Sequence, residues 1–154
     1  MTDDLVPRSI LLVEDEPRLR QTLLRSLAGR GYAVDVATTV AEASARAIGG
    51  DYDVMLLDVN LPDATGWDVL RAMRDAGCTL PSIVLSAAPP NPARVREFRP
   101  AGILNKPFPM EALVRLINAA CQHDTRTGHA TWRERNDTQH VGTCASAARG
   151  SAPV

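Results

Sequence analysis

Three short apolar runs without a polar residue constrain this chain more than any other feature. They are Ile10-Leu11-Leu12-Val13, Val54-Met55-Leu56-Leu57 and Ile83-Val84-Leu85. A strand with one wet face alternates apolar and polar residues, whereas a continuous run marks a strand covered on both faces. Tyr32, Val34 and Val36 do alternate, with Ala33, Asp35 and Ala37 between them, so this strand is expected at a sheet edge. Ile103-Leu104 predicts a short fifth strand.

Helical periodicity fills the intervals. Pro17 suits a first helical turn, Leu19, Leu23 and Leu27 repeat on one face, and Gly29 and Gly31 close the helix. Thr39 with Glu42 reads as a capping box for a helix through Ile48, ended by Gly49-Gly50. Val69, Leu70 and Met73 line a third helix that stops at Gly77, and Leu113, Leu116, Ile117 and Ala120 mark the inner face of a last one. Strand–helix units joined by short links require a parallel sheet with helices on both faces, because crossovers are right-handed. The expected fold is a doubly wound α/β domain over residues 8–122.

Residues 123–154 read differently. Trp132, Val141 and Val154 are their only larger apolar side chains apart from Cys144, and no period of 2 or 3.6 is present. Such a segment buries too little apolar surface to offset its ordering entropy, so a disordered tail is expected. Cys121 and His123, and His140 and Cys144, lack the usual zinc-finger spacing. The N-terminus carries no secretory signal, no run of ~18 apolar residues exists to span a membrane, and three cysteines make no disulfide framework. A cytoplasmic location is expected. A net charge of −1 offers no basic excess for nucleic acid.

In an open parallel sheet, ligands bind beyond the carboxyl ends of the strands. Glu14-Asp15-Glu16 follows the first strand, Asp58-Val59-Asn60 the third, Ser86 the fourth and Asn105-Lys106-Pro107 the fifth. Glu14, Asp15 and Asp58 crowd three negative charges together, which either raises carboxyl pKa values or recruits a cation. Hard oxygen donors with room for water suit Mg²⁺. Three carboxylates (−3), Mg²⁺ (+2) and one lysine (+1) sum to zero. The 17 basic residues are 16 arginines and a single lysine, Lys106. An ammonium is a compact, mobile charge for a phosphoryl oxygen, whereas a guanidinium imposes a planar fork. A carboxylate can act as the nucleophile toward phosphorus, giving an aspartyl phosphate.

Together, Leu11-Leu12-Val13-Glu14-Asp15-Glu16-Pro17, Leu57-Asp58-Val59-Asn60-Leu61-Pro62 with Gly66, Ser86-Ala87 and Lys106-Pro107-Phe108 resemble the receiver domain of bacterial two-component response regulators. The resemblance implies a flavodoxin-like (βα)5 sheet of strand order 2-1-3-4-5. It implies that Asp58 accepts a phosphoryl group from a sensor histidine kinase or a histidine phosphotransfer protein. Asp15, Asp58 and the backbone carbonyl of Asn60 would hold Mg²⁺, with Glu14 acting largely through water. Ser86 would hydrogen-bond the phosphoryl group, Lys106 would pair with it, and the Lys106–Pro107 bond would be cis. No separate enzyme activity is implied beyond self-phosphorylation and self-dephosphorylation.

The chain departs from the family in two places. Receivers usually carry Tyr or Phe three residues before the lysine, where this chain has Ile103, which cannot copy an aromatic switch. Pro89, Pro90, Pro92 and Pro100 leave at most Ala93 to Arg99 for the fourth helix, so the usual output and dimer face is expected to be remodelled. No DNA-binding helix-turn-helix is legible after the domain, so output through a partner protein or a relay role is expected. Three other readings compete with this one. A haloacid-dehalogenase-like phosphatase needs an Asp where Asn60 stands. Nucleotide binding lacks its Gly-rich loop. A phosphorylation-independent pseudo-receiver is the remaining alternative. Glu16, Asp63 and Asp68 are expected to serve turns and helix starts rather than a metal, and Gly66 to supply backbone freedom.

Overall fold

Alternate residues of the central strands face opposite layers, and both layers are dry. In the computed structural model, which describes residues 8–126, β1 (Ser9–Val13), β2 (Ala33–Ala37), β3 (Val54–Asp58), β4 (Ser82–Ser86) and β5 (Gly102–Asn105) form one sheet. All pairs are parallel and the order is β2-β1-β3-β4-β5, as expected. Every residue of β3 and β4 is buried, while the edge strands β2 and β5 are partly wet.

Five helices cover the two faces: α1 (Pro17–Gly29), α2 (Val40–Gly49), α3 (Gly66–Asp75), α4 (Pro92–Phe98) and α5 (Met110–Arg126). Leu11, Val13, Met55, Leu57 and Val84 meet Ala43 and Ala47 of α2 and Trp67, Val69, Leu70 and Met73 of α3. On the other face Ile10, Leu12, Leu56, Ile83 and Leu85 meet Leu23 and Leu27 of α1 and Leu113 and Ile117 of α5. The buried face of α2 is made of small alanines, Ala43 and Ala47.

The helix ends follow local chemistry with instructive differences. Glu16 is the N-cap of α1, its carboxylate accepting the Leu19 N–H at 2.8 Å, so it serves the helix as expected. Gly31 (φ +97°) and Gly77 (φ +77°) take the left-handed conformation that ends α1 and α3. At α2, Thr39 Oγ1 accepts the Glu42 N–H at 3.1 Å, but the Glu42 carboxylate accepts from Thr38, not Thr39, at 3.0 Å. The box therefore closes one residue early. α5 runs on to Arg126, past the boundary at 122, because its last turn is polar and so invisible to apolar periodicity. The expected disordered tail lies outside the described residues, apart from that turn.

α4 is seven residues long, as the prolines require, and buries none of them fully. Its Val95 and Phe98 pack half-buried against the edge of the core. The Phe98 ring stacks on Trp67 of α3 with centroids 6.0 Å apart, and the Arg71 and Arg74 guanidiniums lie 5.5 and 4.9 Å from its centre. Glu97 pairs with Arg94 at 3.0 Å, Arg74 at 3.4 Å and Arg71 at 3.8 Å. Exposed ion pairs contribute little, so the ring carries most of the attachment. Phe98→Ala is expected to cost about 1–2 kcal/mol, less than a fully buried Phe. In urea unfolding a midpoint shift below a few tenths of that size would instead assign α4's attachment to Glu97.

Candidate functional site

The acidic loop after β1, the end of β3 and the loop after β5 converge because adjacent parallel strands end at the same edge. Asp58 is the last residue of β3 and is 4% exposed; Glu14, directly after β1, is fully buried; Asp15 is half-buried. One carboxylate oxygen from each lies within 4.8 Å of the other two. Lys106 Nζ reaches into this group, 3.1 Å from Glu14 Oε1 and 3.2 Å from Asp58 Oδ2. The cis Lys106–Pro107 bond is present as expected.

The surrounding backbone holds these groups in place. Asn60 donates its N–H to Asp58 Oδ1 at 3.2 Å, and Glu16 donates its N–H to Glu14 Oε2 at 3.2 Å. Arg20, on the first turn of α1, donates to the Asp15 carbonyl at 3.0 Å and to the Glu14 carbonyl at 3.5 Å. It clamps the acidic loop by backbone rather than by neutralising a carboxylate, a role that no local sequence signal announces.

Of the expected site residues, Glu14, Asp15, Asp58 and Lys106 are brought together directly. Asn60 joins them through its N–H, its side chain lying exposed. Ser86 is buried at the end of β4, beside β3, but its hydroxyl donates to the Ala88 carbonyl and accepts the Ala88 N–H at 3.3 Å. Its side chain is engaged within its own loop. Ile103 is half-buried against the cluster that holds Trp67 and Val84, with Phe98 and Val95 in the same packing. Asp63 and Asp68 take no part in the acidic group. Asp68 accepts from the Thr65 N–H at 3.2 Å, whereas Asp63 caps α2 rather than its own helix.

Gly66 departs from expectation. Its φ is not left-handed; what excludes a side chain is space. A Cβ there would fall inside van der Waals contact of the Asp58 carbonyl oxygen, with Leu57 Cγ and Val59 Cα at 3.1 Å. The start of α3 thus lies directly on the backbone that carries Asp58.

Three carboxylates (−3) against one ammonium (+1) leave a deficit of two positive charges. Part of it is met by a proton. Burial raises the Glu14 carboxyl from 4.5 to about 7, the Asp58 carboxylate adds to the rise, and Lys106 opposes it. For Lys106, burial lowers the pKa, but Glu14 and Asp58 outweigh it and hold the ammonium charged. In metal-free protein the native state therefore binds more protons than the unfolded chain between 4.5 and about 7. Stability is fully present below that window, falls as pH rises through it and levels off above. Glu14→Gln is expected to remove this decline, worth about 3 kcal/mol, in urea midpoints measured across the window in chelator. The same slope in both proteins would contradict the assignment.

Comparison with known proteins agrees with this geometry. Residues 10–118 match the family profile of the response regulator receiver domain, and the chain belongs to that family. It is 36% identical over 110 residues to the transcriptional regulatory protein CusR of Escherichia coli (strain K12), covering 70% of this chain and 48% of CusR. It is 36% identical over 118 residues to the transcriptional regulatory protein KdpE of Mycobacterium tuberculosis, covering 75% and 52%. The chain thus spans about half the length of these curated relatives. Among solved structures, chemotaxis protein CheY4 of Vibrio cholerae shares 28% identity with a TM-score of 0.68, covering 75% of this chain and 99% of that one. Response regulator TrrA of Thermotoga maritima, solved in complex with Mg(2+)-BeF, shares 26% identity with a TM-score of 0.67, covering 73% and 98%. No described helix is long and apolar enough to cross a membrane.

Proposed function

We propose that Asp58 accepts a phosphoryl group from a phosphohistidine of a sensor histidine kinase or histidine phosphotransfer protein, in a Mg²⁺-dependent reaction. The observation that carries this is the meeting of three carboxylates and the chain's single lysine at one sheet edge. A structural ion pair needs one partner for each charge; this group keeps an excess of negative charge, and burial together with Asp58 pushes the Glu14 pKa up.

The donor set fits Mg²⁺, being hard oxygens on adjacent loops. Asp15 and Asp58 would hold the ion with the Asn60 carbonyl, and Glu14 would act through water. When bound, Mg²⁺ offsets charge on the oxygens of the phosphoryl group. That a relative of the same fold was solved in complex with Mg(2+)-BeF supports this reading.

The chemistry asked of the side chains is small, because phosphoryl transfer is mainly positioning and charge neutralisation. An Asp58 carboxylate oxygen donates an electron pair to phosphorus as the P–N bond to the donor imidazole breaks. The bond pair leaves with the imidazole nitrogen, and the ring departs neutral because its other nitrogen already carries a proton. Lys106, already at Asp58 Oδ2, follows the new negative charge onto a phosphoryl oxygen. Rotation of Ser86 about χ1 frees its hydroxyl from the Ala88 carbonyl to donate to another. Hydrolysis of the acyl phosphate returns the carboxylate, so the chain is a phosphoacceptor rather than an enzyme with a separate product.

Intact-protein mass after incubation with acetyl phosphate and Mg²⁺ tests the proposal. One added phosphoryl group is expected, absent in Asp58→Ala and in chelator. No adduct in the native protein, with no Mg²⁺ binding by calorimetry, would leave an interaction module of receiver shape.

A further inference from the structure

The N-terminus of α2 is completed by a residue that does not belong to it. A helix leaves its first N–H groups without an intrahelical acceptor. Here Thr39 supplies one acceptor, to Glu42. The other two N–H groups, on Val40 and Ala41, donate to Asp63, at 2.8 Å to Oδ1 and 3.2 Å to Oδ2. Asp63 is 23 residues from Val40 and lies in the loop between Asp58 and α3.

That loop is short and held at both ends. At its start, Asn60 N–H is bound to Asp58 Oδ1. At its close, Asn60 bridges to Thr65 and the Gly66 N–H donates to the Val59 carbonyl at 2.6 Å. The absent Cβ of Gly66 places this segment directly on the Asp58 backbone. Asp63 lies in the loop between these two anchors and accepts from the first two amides of α2. These hydrogen bonds are strong enough to lower the Asp63 carboxyl pKa, the bond from Val40 contributing most.

We propose that Asp63 is a positioning residue that carries the phosphorylation state of Asp58 to the N-terminus of α2. The inference rests on the proposed phosphoacceptor role of Asp58. Acyl-phosphate formation turns the Asp58 carboxylate into a neutral carbonyl and an ester oxygen, so Asn60 N–H loses its charged acceptor. The phosphoryl oxygens, carrying the new charge, draw the loop amides inward. Both changes pull Asp63 away from Val40 and Ala41 and loosen the α2 end. This route does not pass through Ile103.

Amide hydrogen exchange at Val40 and Ala41 reads the coupling directly, because Asp63 is the acceptor for both. In the native chain, Mg²⁺ with acetyl phosphate is expected to speed their exchange roughly fivefold, the factor for losing one cap. Intact mass on the same samples reports phosphorylation separately. Asp63→Ala is expected to exchange fast in both states while still gaining the phosphoryl group, and Asp63→Asn to keep partial protection. Phosphorylated native protein with unchanged exchange at both amides would overturn the coupling and leave the phosphoacceptor role intact. Absence of the adduct would instead remove the role on which the coupling rests.

Discussion

Replacing Lys106 with methionine is expected to slow phosphoryl acceptance about 100-fold while tightening Mg²⁺ binding. The two effects have opposite signs for one reason. Lys106 Nζ lies 3.1 Å from Glu14 and 3.2 Å from Asp58, so its charge competes with a metal for the same carboxylates. Once the phosphoryl group arrives, that charge becomes a stabilising partner that methionine cannot supply. In metal-free protein the variant also removes the cation that opposes the rise of the Glu14 pKa, so Glu14 holds its proton to higher pH and, once that is lost, faces Asp58 without a cation. A loss of about 2–3 kcal/mol is expected there, and Mg²⁺ should restore it. Lys106→Arg should recover the stability more fully than the rate, because a planar fork cannot follow a phosphoryl oxygen as a mobile ammonium does. Single-turnover kinetics and calorimetry separate these outcomes. A variant that loses rate and metal affinity together would mean that Lys106 shapes the site instead of neutralising charge within it.

Gly66→Ala is expected to destabilise by about 2 kcal/mol and to impair phosphoryl acceptance. Two effects compete. Alanine in a helix is favoured over glycine by roughly 1 kcal/mol. Against this, the added methyl meets the Asp58 carbonyl oxygen, which belongs to a fully buried strand and cannot yield cheaply. The clash wins, and the displaced group is the one that carries the proposed nucleophile. Gly49→Ala is the matched comparison, since nothing lies within 4 Å of a Cβ there. It should be neutral or stabilising. If both substitutions behave alike in urea unfolding, Gly66 is not held by close approach.

Much of this architecture is legible in the sequence because strand burial is written locally. The unbroken runs at Ile10–Val13 and Val54–Leu57 sit in the middle of the sheet, and the alternating Val34 and Val36 sit at its edge. The acidic pair, Asp58 and Lys106 are readable for a related reason: Asp58 ends a strand and the others directly follow one, and parallel strands deliver their ends to one edge. What escapes the sequence is contact between segments that share no period. Asp63 looks like a turn residue for α3, yet its acceptors serve α2, and only the close approach of those helices reveals it. No local sequence signal marks Arg20, which binds two carbonyls of the acidic loop. Gly66 reads as a freely rotating turn residue, while its backbone is ordinary and its neighbours are crowded. Ser86 lies at the strand end where it was expected, its hydroxyl engaged with Ala88 of its own loop.

Ile103 and α4 bear on how such a site is read out. Ile103, a stiff branched side chain, is half-buried against the cluster that holds Val84, with Phe98 in the same packing. α4 is pinned to α3 by Phe98 and Glu97. The β3–α3 loop, by contrast, touches Asp58 at one end and α2 at the other through hydrogen bonds that a change of charge can break.

The most direct test is to locate the phosphoryl group. Borohydride reduces an aspartyl phosphate to homoserine, and peptide mapping then identifies the residue. After incubation with acetyl phosphate and Mg²⁺, homoserine is expected at position 58 alone, and nowhere in chelator. Homoserine at another aspartate, or at none while the intact mass shows an adduct, would contradict the assignment of Asp58 as the phosphoacceptor.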